Sequence, residues 1–280
     1  MHFERILNSN SRTKTVSFLT TTTLADGSTA PSVVLLEKQA FDMNQLAENI
    51  SSMQIVEEEA SNDIYKWFQI KIPSERIRMQ TICPATAKHI AKYSKQSYKK
   101  VIETALQYES KVKPFIESIP KERLDWMRNI WQGKSEQDKI LFKHNDFMIL
   151  PDGKWNGVNL SDLYLLVILA DESLKSIRDL NDSHLLLLKS IQSSIATLLK
   201  EKYSLSMDDV RCYFHYHPTY YWLHVHVTHV EAEYPGMLVG QSHLLEDVID
   251  NIENIDSSYY AKKTITFVLG VEHEVYKLLQ

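Results

Sequence analysis

Residues 211–230 read Arg-Cys-Tyr-Phe-His-Tyr-His-Pro-Thr-Tyr-Tyr-Trp-Leu-His-Val-His-Val-Thr-His-Val and hold five of the eleven histidines of the chain. Two runs of β-prone residues flank the turn residues Pro218 and Thr219, which predicts a hairpin or two strands in close succession. Because side chains alternate between the faces of a strand, His224 and His226 would point the same way, roughly 7 Å apart. The apolar residues beside them would face the core: Leu223, Val225 and Val227.

Two imidazoles on one face of a strand have three common uses: a nucleophile with its orienting partner, a pair of metal ligands, or a pair of structural residues. Zinc needs three or four ligands, and His215 and His217 would complete such a set with His224 and His226, but no nearby cysteine or carboxylate pattern supports it. Hydroxyl groups surround the pair and suit a phosphate held beside a neutral imidazole: Thr219, Tyr220, Tyr221 and Thr228. The spacing alone leaves the three uses open.

The composition favours a small anionic ligand over a nucleic-acid polymer. The length of 280 residues suggests about two domains. The net charge is −5, from 31 basic and 36 acidic residues, whereas binding to long nucleic acid needs a basic surface. A few local lysines are enough to hold a substrate of nucleotide or short oligonucleotide size.

The two cysteines, Cys83 and Cys212, are too few for a disulfide framework, and their apolar surroundings predict buried thiols in a reducing compartment. The first residues lack the apolar segment of a signal peptide. The longest apolar run, residues 163–170, is too short to cross a bilayer. We therefore expect a soluble intracellular protein with no membrane partner. The localisation we predict for it is cytoplasmic, with the nucleus as a second compartment.

The first part of the chain reads as β-rich. Residues 1–75 contain β-branched runs separated by turn residues, with strands expected at residues 15–23, 32–36 and 64–72. Thr86 is a suitable N-cap for a long helix over residues 87–111. Lysines recur along that segment at helical spacing, which is typical of a solvated face or of contacts to a phosphate. We interpret residues 1–112 as a scaffold and dimerisation domain.

The second part of the chain alternates helices with strands. We expect a hinge at residues 113–121 and a second domain over residues 122–280. Its predicted helices are residues 121–132, 181–202 and 242–253, and its predicted strands are residues 139–142, 147–150, 164–170 and 262–269, besides the two histidine-rich strands. This arrangement predicts an α+β fold class.

Residues 218–227, Pro-Thr-Tyr-Tyr-Trp-Leu-His-Val-His-Val, resemble the histidine-triad signature as the scavenger mRNA-decapping enzymes carry it. Further stretches resemble that family in the same order along the chain: residues 61–65, 84–93, 124–126 with Glu136, 149–156, 160–164, 176–180 and 277–279. The resemblance implies an N-terminal β-rich dimerisation domain that closes over the cap and a C-terminal histidine-triad domain with an antiparallel sheet and helices.

The resemblance also implies an activity. The family hydrolyses the 5′-5′ triphosphate bridge of 7-methylguanosine-capped dinucleotides or short capped RNA fragments during mRNA decay. It releases 7-methylguanosine monophosphate through a covalent nucleotidyl-histidine, with no cofactor and no metal, and it works as a homodimer.

The same resemblance assigns roles to individual residues. His224 matches the nucleophile, and His226 and His215 match its supporting histidines. The residues matching the cap-base pocket are Trp126, Glu136 and Pro151, where an indole attracts a cationic methylated base. The residues matching ribose and phosphate contacts are Asp152, Lys154, Tyr164, Thr219 and Tyr220, together with Asn62 and Lys92 of the first domain.

Three positions depart from the family pattern. Trp222 replaces the first triad histidine, Gly153 stands where an apolar side chain usually covers the base, and Gln241 stands where a basic residue is common. The departures at Trp222 and Gly153 favour the first of three alternatives to the decapping hypothesis, and the other two do not depend on them. The three alternatives are a catalytically weakened cap-binding regulatory protein, a histidine-triad hydrolase of another dinucleotide, and a metal-binding module built from the histidines.

Overall fold

A computed structural model describes residues 1–39, 41–73 and 76–280. The chain forms two compact units, Met1–Gln96 and Ser97–Gln280. Each unit has its own sheets and its own apolar cluster.

The first unit is rich in strands, as predicted. Its elements are β1 (His2–Asn10), β2 (Thr15–Thr23), β3 (Thr29–Lys38), α1 (Leu46–Ser51), β4 (Gln54–Asn62), β5 (Tyr65–Lys71), β6 (Ile77–Ile82) and α2 (Ala87–Tyr93). An antiparallel sheet has the order β1-β2-β3-β6, and β4 and β5 form a separate hairpin. Thr86 caps α2 as predicted, because its hydroxyl accepts a hydrogen bond from the backbone N–H of His89 at 3.4 Å.

The second unit is built around a six-stranded sheet. Its elements are β7 (Tyr98–Glu103), α3 (Ala105–Gln107), α4 (Lys113–Ser118), α5 (Asp125–Trp131), β8 (Phe142–Lys143), β9 (Phe147–Pro151), β10 (Tyr164–Leu169), α6 (Leu185–Leu198), β11 (Val210–His215), β12 (His224–His229), β13 (Ser242–Leu244), α7 (Leu245–Asp250), α8 (Tyr259–Lys262), β14 (Ile265–Gly270) and α9 (Glu274–Leu278). The sheet order is β13-β11-β12-β10-β9-β8, and all its pairs are antiparallel. Helices and antiparallel sheets together confirm the predicted α+β class.

The two faces of this sheet pack against different elements. Val225 and Val227 of β12 are fully buried in the main apolar cluster, which also contains the inner face of α6. His224 and His226 lie on the opposite face, where they pair across the ladder with Ile168 and Leu166 of β10. That face carries a second apolar cluster, which includes residues of α5 and Trp222. The predicted alternation along β12 is therefore confirmed.

The long helix predicted over residues 87–111 was wrong. α2 ends at Tyr93, and Tyr98–Glu103 forms strand β7, which pairs antiparallel with β14. The segment contains lysines that suit a helix, but Val101 is buried against the core of the second unit and Ile102 is a β-branched neighbour. Pairing with a partner strand outweighed the local helical preference.

Residues 97–112 therefore group with the second unit, whereas the first domain was predicted to extend to residue 112. Lys113–Ser118 forms α4 inside the second unit. The role of residues 113–121 as a hinge stays a prediction.

One cysteine prediction was wrong and the other was confirmed. Cys212 is buried in β11, whereas Cys83 is exposed in the turn between β6 and α2. Of the helices in residues 1–39, 41–73 and 76–280, none combines the length and apolarity that a membrane span requires.

Candidate active site

Three of the five clustered histidines meet on one face of the sheet. The antiparallel pairing of β11 with β12 sets Tyr213 opposite His226, which brings the end of β11 beside the start of β12. The imidazole centroids of His215 and His226 are 4.2 Å apart, and those of His224 and His226 are 4.8 Å apart. The structure thus brings together all three predicted catalytic histidines.

His224 has one ring nitrogen occupied and one free for chemistry. Its Nδ1 lies 2.6 Å from the backbone oxygen of Trp222. A carbonyl oxygen only accepts hydrogen bonds, so Nδ1 carries the proton and the lone pair remains on Nε2. Burial lowers the pKa of His224, although the hydrogen bond to Trp222 opposes that shift. His224 is therefore a neutral imidazole at pH 7, which is the form a nucleophile requires.

His226 is held in the opposite tautomer. The ammonium of Lys154 lies 3.5 Å from the hydroxyl oxygen of Tyr164, and that oxygen is 2.8 Å from Nδ1 of His226. Lysine only donates, so the Tyr164 hydroxyl accepts from Lys154, and we assign the hydrogen of this hydroxyl to Nδ1 of His226. Nε2 of His226 then carries a proton, and it has no partner among the described residues although it is buried. An unpaired buried N–H close to the free Nε2 of His224 suits an anionic oxygen.

His215 completes the group at the end of β11. Burial, followed by the neighbouring His224, lowers the pKa of His215 to about 4. Gly236 packs against its ring so closely that a Cβ added to Gly236 would overlap Cε1 of His215. Only glycine therefore allows the backbone to approach this imidazole.

A turn after β9 positions Lys154. The backbone N–H of Asp152 donates to the backbone oxygen of Tyr164 at 2.9 Å. The Asp152 carboxylate accepts from the backbone N–H of Lys154, also at 2.9 Å. This turn sets the Lys154 ammonium 4.8 Å from the centroid of the Tyr164 ring. Lys154 also lowers the pKa values of His224 and His226, although burial is the larger cause for both. A cation thus lies near His224 and His226, and its contact with a phosphate stays a prediction.

The predicted cap-base residues lie around α5. Trp126, in the first turn of this helix, is 37% exposed, and its ring meets Tyr220 edge-on with centroids 5.4 Å apart. Glu136 follows the helix in a left-handed conformation, with φ of 53°, and its carboxylate lies 3.4 Å from the ammonium of Lys139. The side chain of Gln137 donates to the backbone oxygen of Ile130 at 2.7 Å, which ties this turn to α5. Trp126 therefore has an accessible indole next to a predicted phosphate contact.

The remaining residues predicted to contact the substrate lie on a loop and a strand of the second unit and on two elements of the first unit. Thr219 and Tyr220 are exposed and line a cavity of about 600 Å³. Pro151 ends β9, directly before Asp152. Asn62, in β4, and Lys92, in α2, are exposed residues of the first unit, and their approach to a substrate stays a prediction.

His217 does not join the other histidines. Its Nε2 lies 3.0 Å from a carboxylate oxygen of Glu103, and the two side chains are fully buried together. Within the described ranges, no group of three or more histidine, cysteine, aspartate or glutamate side chains is arranged to hold a metal ion. The metal-binding alternative that combined His217 with the other three histidines is thus contradicted by the position of His217.

Comparison with known families agrees with this geometry. A family model described as "Scavenger mRNA decapping enzyme (DcpS) N-terminal" matches residues 1–96. A second, described as "Scavenger mRNA decapping enzyme C-term binding", matches residues 125–240, which contain the three grouped histidines. The chain belongs to the scavenger mRNA decapping enzyme family.

Curated relatives in this family share about a third of their residues with the chain. The m7GpppX diphosphatase of Bos taurus is 37% identical over 261 residues, which cover 91% of this chain and 77% of the relative. That of Homo sapiens is 36% identical over 261 residues, with the same coverage. That of Schizosaccharomyces pombe is 33% identical over 294 residues, which cover 99% of this chain and 93% of the relative.

In this scavenger decapping family member, the departure at Trp222 leaves the orientation of His224 intact. The Trp222 side chain is only 2% exposed, and its indole N–H donates to the backbone oxygen of Leu169 at 2.7 Å. The group that orients His224 is the backbone oxygen of Trp222, which any residue supplies. The indole thus fills the apolar cluster beside α5, and the substitution changes packing without changing the tautomer of His224.

Two features of the site were absent from the sequence-based prediction. Tyr213 stacks on His226, with centroids 5.4 Å apart and an interplanar angle of 20°. Gly236 provides the close approach to His215. The alternation of β11 could have placed Tyr213 on the face of His215, but no local pattern connects Gly236 with a histidine of another element.

Proposed function

We propose that this protein hydrolyses the triphosphate bridge of 7-methylguanosine-capped dinucleotides or short capped RNA fragments and releases 7-methylguanosine monophosphate. Family membership and the m7GpppX diphosphatase names of the relatives support the substrate class. The observation that carries the chemistry is the hydrogen bond from Nδ1 of His224 to the backbone oxygen of Trp222, which leaves Nε2 free as a nucleophile.

The first step transfers the nucleotide to the enzyme. Nε2 of His224 attacks the phosphorus attached to 7-methylguanosine, and a phosphorus–nitrogen bond forms. The bond from this phosphorus to the bridging oxygen breaks, and its electron pair leaves with the nucleoside diphosphate or the diphosphate-ended RNA. The Lys154 ammonium and the free Nε2–H of His226 offset the negative charge on the oxygens of the transition state.

The second step releases the product. Water attacks the same phosphorus and gives up a proton, and the phosphorus–nitrogen bond breaks with its electron pair returning to Nε2 of His224. The sum is one capped dinucleotide plus water giving 7-methylguanosine monophosphate, a nucleoside diphosphate and a proton. Covalent catalysis divides one difficult displacement into two easier ones.

Recognition of the cap relies on residues around α5 and β9. The exposed indole of Trp126 stacks on the cationic methylated base. Glu136 accepts hydrogen bonds from the guanine edge, and Pro151 contacts the base. Asp152 binds the ribose, and the phosphate contacts come from Lys154, Thr219 and Tyr220. Tyr164 was predicted as a phosphate contact, but it is buried and acts through His226. Asn62 and Lys92 of the first unit close over the second nucleotide and its phosphates.

The proposal includes a homodimer that acts in the cytoplasm and the nucleus. Large apolar side chains are exposed on the strands of the first unit, including Phe3, Ile6, Trp67 and Met79. Exposed apolar side chains suit contact with another protein surface where they lie together. A second copy of the chain is the partner that the family resemblance implies.

The test is a cap-hydrolysis assay on the purified protein with m7GpppG and with unmethylated GpppG. We expect 7-methylguanosine monophosphate as a product and faster turnover of the methylated substrate. His224→Asn should abolish turnover and leave binding of m7GpppG within about twofold, since the amide keeps polarity without a nucleophilic nitrogen lone pair. Undiminished turnover by His224→Asn would reject the mechanism, and no hydrolysis by the wild-type protein would reject the function.

A further inference from the structure

A buried group of polar side chains adjoins the loop of residues 217–221, and the mechanism above does not use it. Glu103, at the end of β7, accepts hydrogen bonds from Nη2 of Arg178 at 2.6 Å and from Nε2 of His217 at 3.0 Å. The hydroxyl of Tyr216 donates to the same carboxylate. The side chains of Glu103, Arg178 and His217 are completely inaccessible to solvent.

The charges in this group are fixed by its hydrogen bonds. Burial alone would raise the pKa of Glu103, but the hydrogen bonds from His217, Tyr216 and Arg178 outweigh burial and lower it. Burial lowers the pKa of His217, and Glu103 only partly opposes that shift. At neutral pH the group is thus an ionised Glu103 paired with Arg178, and a neutral His217.

The tautomer of His217 follows from its partners. A carboxylate only accepts, so Nε2 of His217 carries the proton and Nδ1 is an acceptor. The hydroxyl of Tyr221 lies 3.2 Å from Nδ1 and therefore donates to it. The imidazole of His217, which Glu103 orients, thus links His217 at the start of the loop to Tyr221 at its end.

The residues between these two anchors are the ones predicted to hold phosphate. Pro218 and Tyr221 are buried, whereas Thr219 and Tyr220 between them are exposed. Tyr220 also meets the ring of Trp126 edge-on. The conformation of this exposed pair therefore depends on how the two ends of the loop are held.

We infer that Glu103 is a positioning residue for the decapping site. Through His217 and Tyr221 it fixes the loop of residues 217–221, so that Thr219 and Tyr220 meet the substrate phosphates. The inference rests on the proposed function. It assigns a functional role to a buried carboxylate that never touches the substrate.

The test centres on Tyr221→Phe, which removes only the hydroxyl that closes the loop. We expect kcat/KM for m7GpppG to fall about fivefold to tenfold, the change that loss of one hydrogen bond produces. The matched control is Tyr260→Phe, which also removes a buried hydroxyl, one that accepts from the Asn251 side chain at 3.0 Å. It should leave kcat/KM within about twofold.

A double-mutant cycle separates positioning from loss of stability. If Tyr221 acts through Thr219, then Tyr221→Phe should have little further effect in a Thr219→Ala background. Independent, multiplying effects of the two substitutions would overturn the inference. So would an unchanged kcat/KM in Tyr221→Phe while the wild-type protein hydrolyses m7GpppG. An inactive wild-type protein would instead reject the proposed function itself.

Glu103→Gln extends the test to the carboxylate. We expect a fall in kcat/KM of about tenfold or more in protein whose thermal unfolding remains cooperative. The amide has one acceptor oxygen where the carboxylate has two, so either His217 or the pair Arg178 and Tyr216 faces an N–H donor. Activity equal to the wild type in that folded variant would overturn the role of Glu103. If the loss of the buried charge prevents folding, the Tyr221 and Thr219 cycle decides the inference.

Discussion

Removal of the Tyr164 hydroxyl should show how much the tautomer of His226 contributes to turnover. Tyr164→Phe keeps the ring, which packs against Tyr234 with centroids 4.6 Å apart, and deletes only the oxygen that contacts Nδ1 of His226 at 2.8 Å. Nothing then specifies which nitrogen of His226 carries the proton. The Nε2–H that we assign to the phosphate oxygens is present only part of the time.

The magnitude follows from the buried contact. A hydrogen bond from an N–H to a charged group contributes about 1.5–3 kcal/mol, and the transition state loses this contribution whenever Nε2 of His226 is unprotonated. Because about 1.4 kcal/mol corresponds to a tenfold change in rate, the expected fall in kcat is about fivefold to a hundredfold. As a separate effect, the free energy of unfolding should fall by about 1–3 kcal/mol, because Nδ1 of His226 loses its hydrogen-bond partner in the free enzyme.

The assay is steady-state hydrolysis of m7GpppG, with binding of 7-methylguanosine monophosphate measured by calorimetry. The hydroxyl acts through His226 and does not reach the base, so we expect kcat to fall while affinity for the monophosphate changes less than about threefold. Tyr203→Phe is the matched control, because that ring packs against Trp155 in the main apolar cluster, away from the histidines. A kcat for Tyr164→Phe equal to that of Tyr203→Phe would refute the assigned tautomer.

Two further predictions concern the base pocket and the effect of pH. Gly153→Leu should tighten binding of 7-methylguanosine monophosphate about fivefold, as measured by calorimetry. A Cβ at Gly153 meets no atom within 4 Å, and a leucine that buries ~40 Å² of apolar surface against the base gains ~1 kcal/mol. Gly153→Ser is the polar control, and equal affinities of the two variants would contradict the expectation. Burial lowers the pKa values of His224 and His215 below their ordinary value of 6.5, for His215 to about 4. Between pH 4 and 6.5 the unfolded chain therefore binds more protons than the folded protein, so the free energy of unfolding should decline as pH falls through that window. The value of kcat/KM for m7GpppG should stay at its neutral-pH level until below pH 6.5. An acid limb of the pH–rate profile centred above pH 6.5 would contradict a buried neutral nucleophile.

The two histidine-rich strands were predictable because the pattern that indicates them lies within a short stretch of sequence. Alternation along β12 decides that Val225 and Val227 face the core and that His224 and His226 share the other face. The N-cap Thr86 and three of the six described strands of the first unit, β2, β3 and β5, follow from similar short-range rules. The family resemblance added the identity of Lys154 and Tyr164 as neighbours of the histidines, which the structure places together.

The error over residues 87–111 shows where local rules stop. The segment Tyr98–Glu103 becomes a strand because Ile265–Gly270, far along the chain, offers it an edge for pairing. The residues next to Tyr98–Glu103 in the sequence do not indicate which distant strand will pair with them. The pairing also carries Glu103 to the loop of residues 217–221, where it meets His217.

By itself, the sequence determined which residues alternate toward the core, which family the chain resembles and which imidazoles share a face. Only the tertiary structure decided which nitrogen of each imidazole is free, because that depends on single acceptors such as the backbone oxygen of Trp222 and on single donors such as the hydroxyl of Tyr164. Hydrogen bonds need atoms within about 3 Å of one another. Such distances arise from packing between remote segments, which periodicity along a chain does not encode.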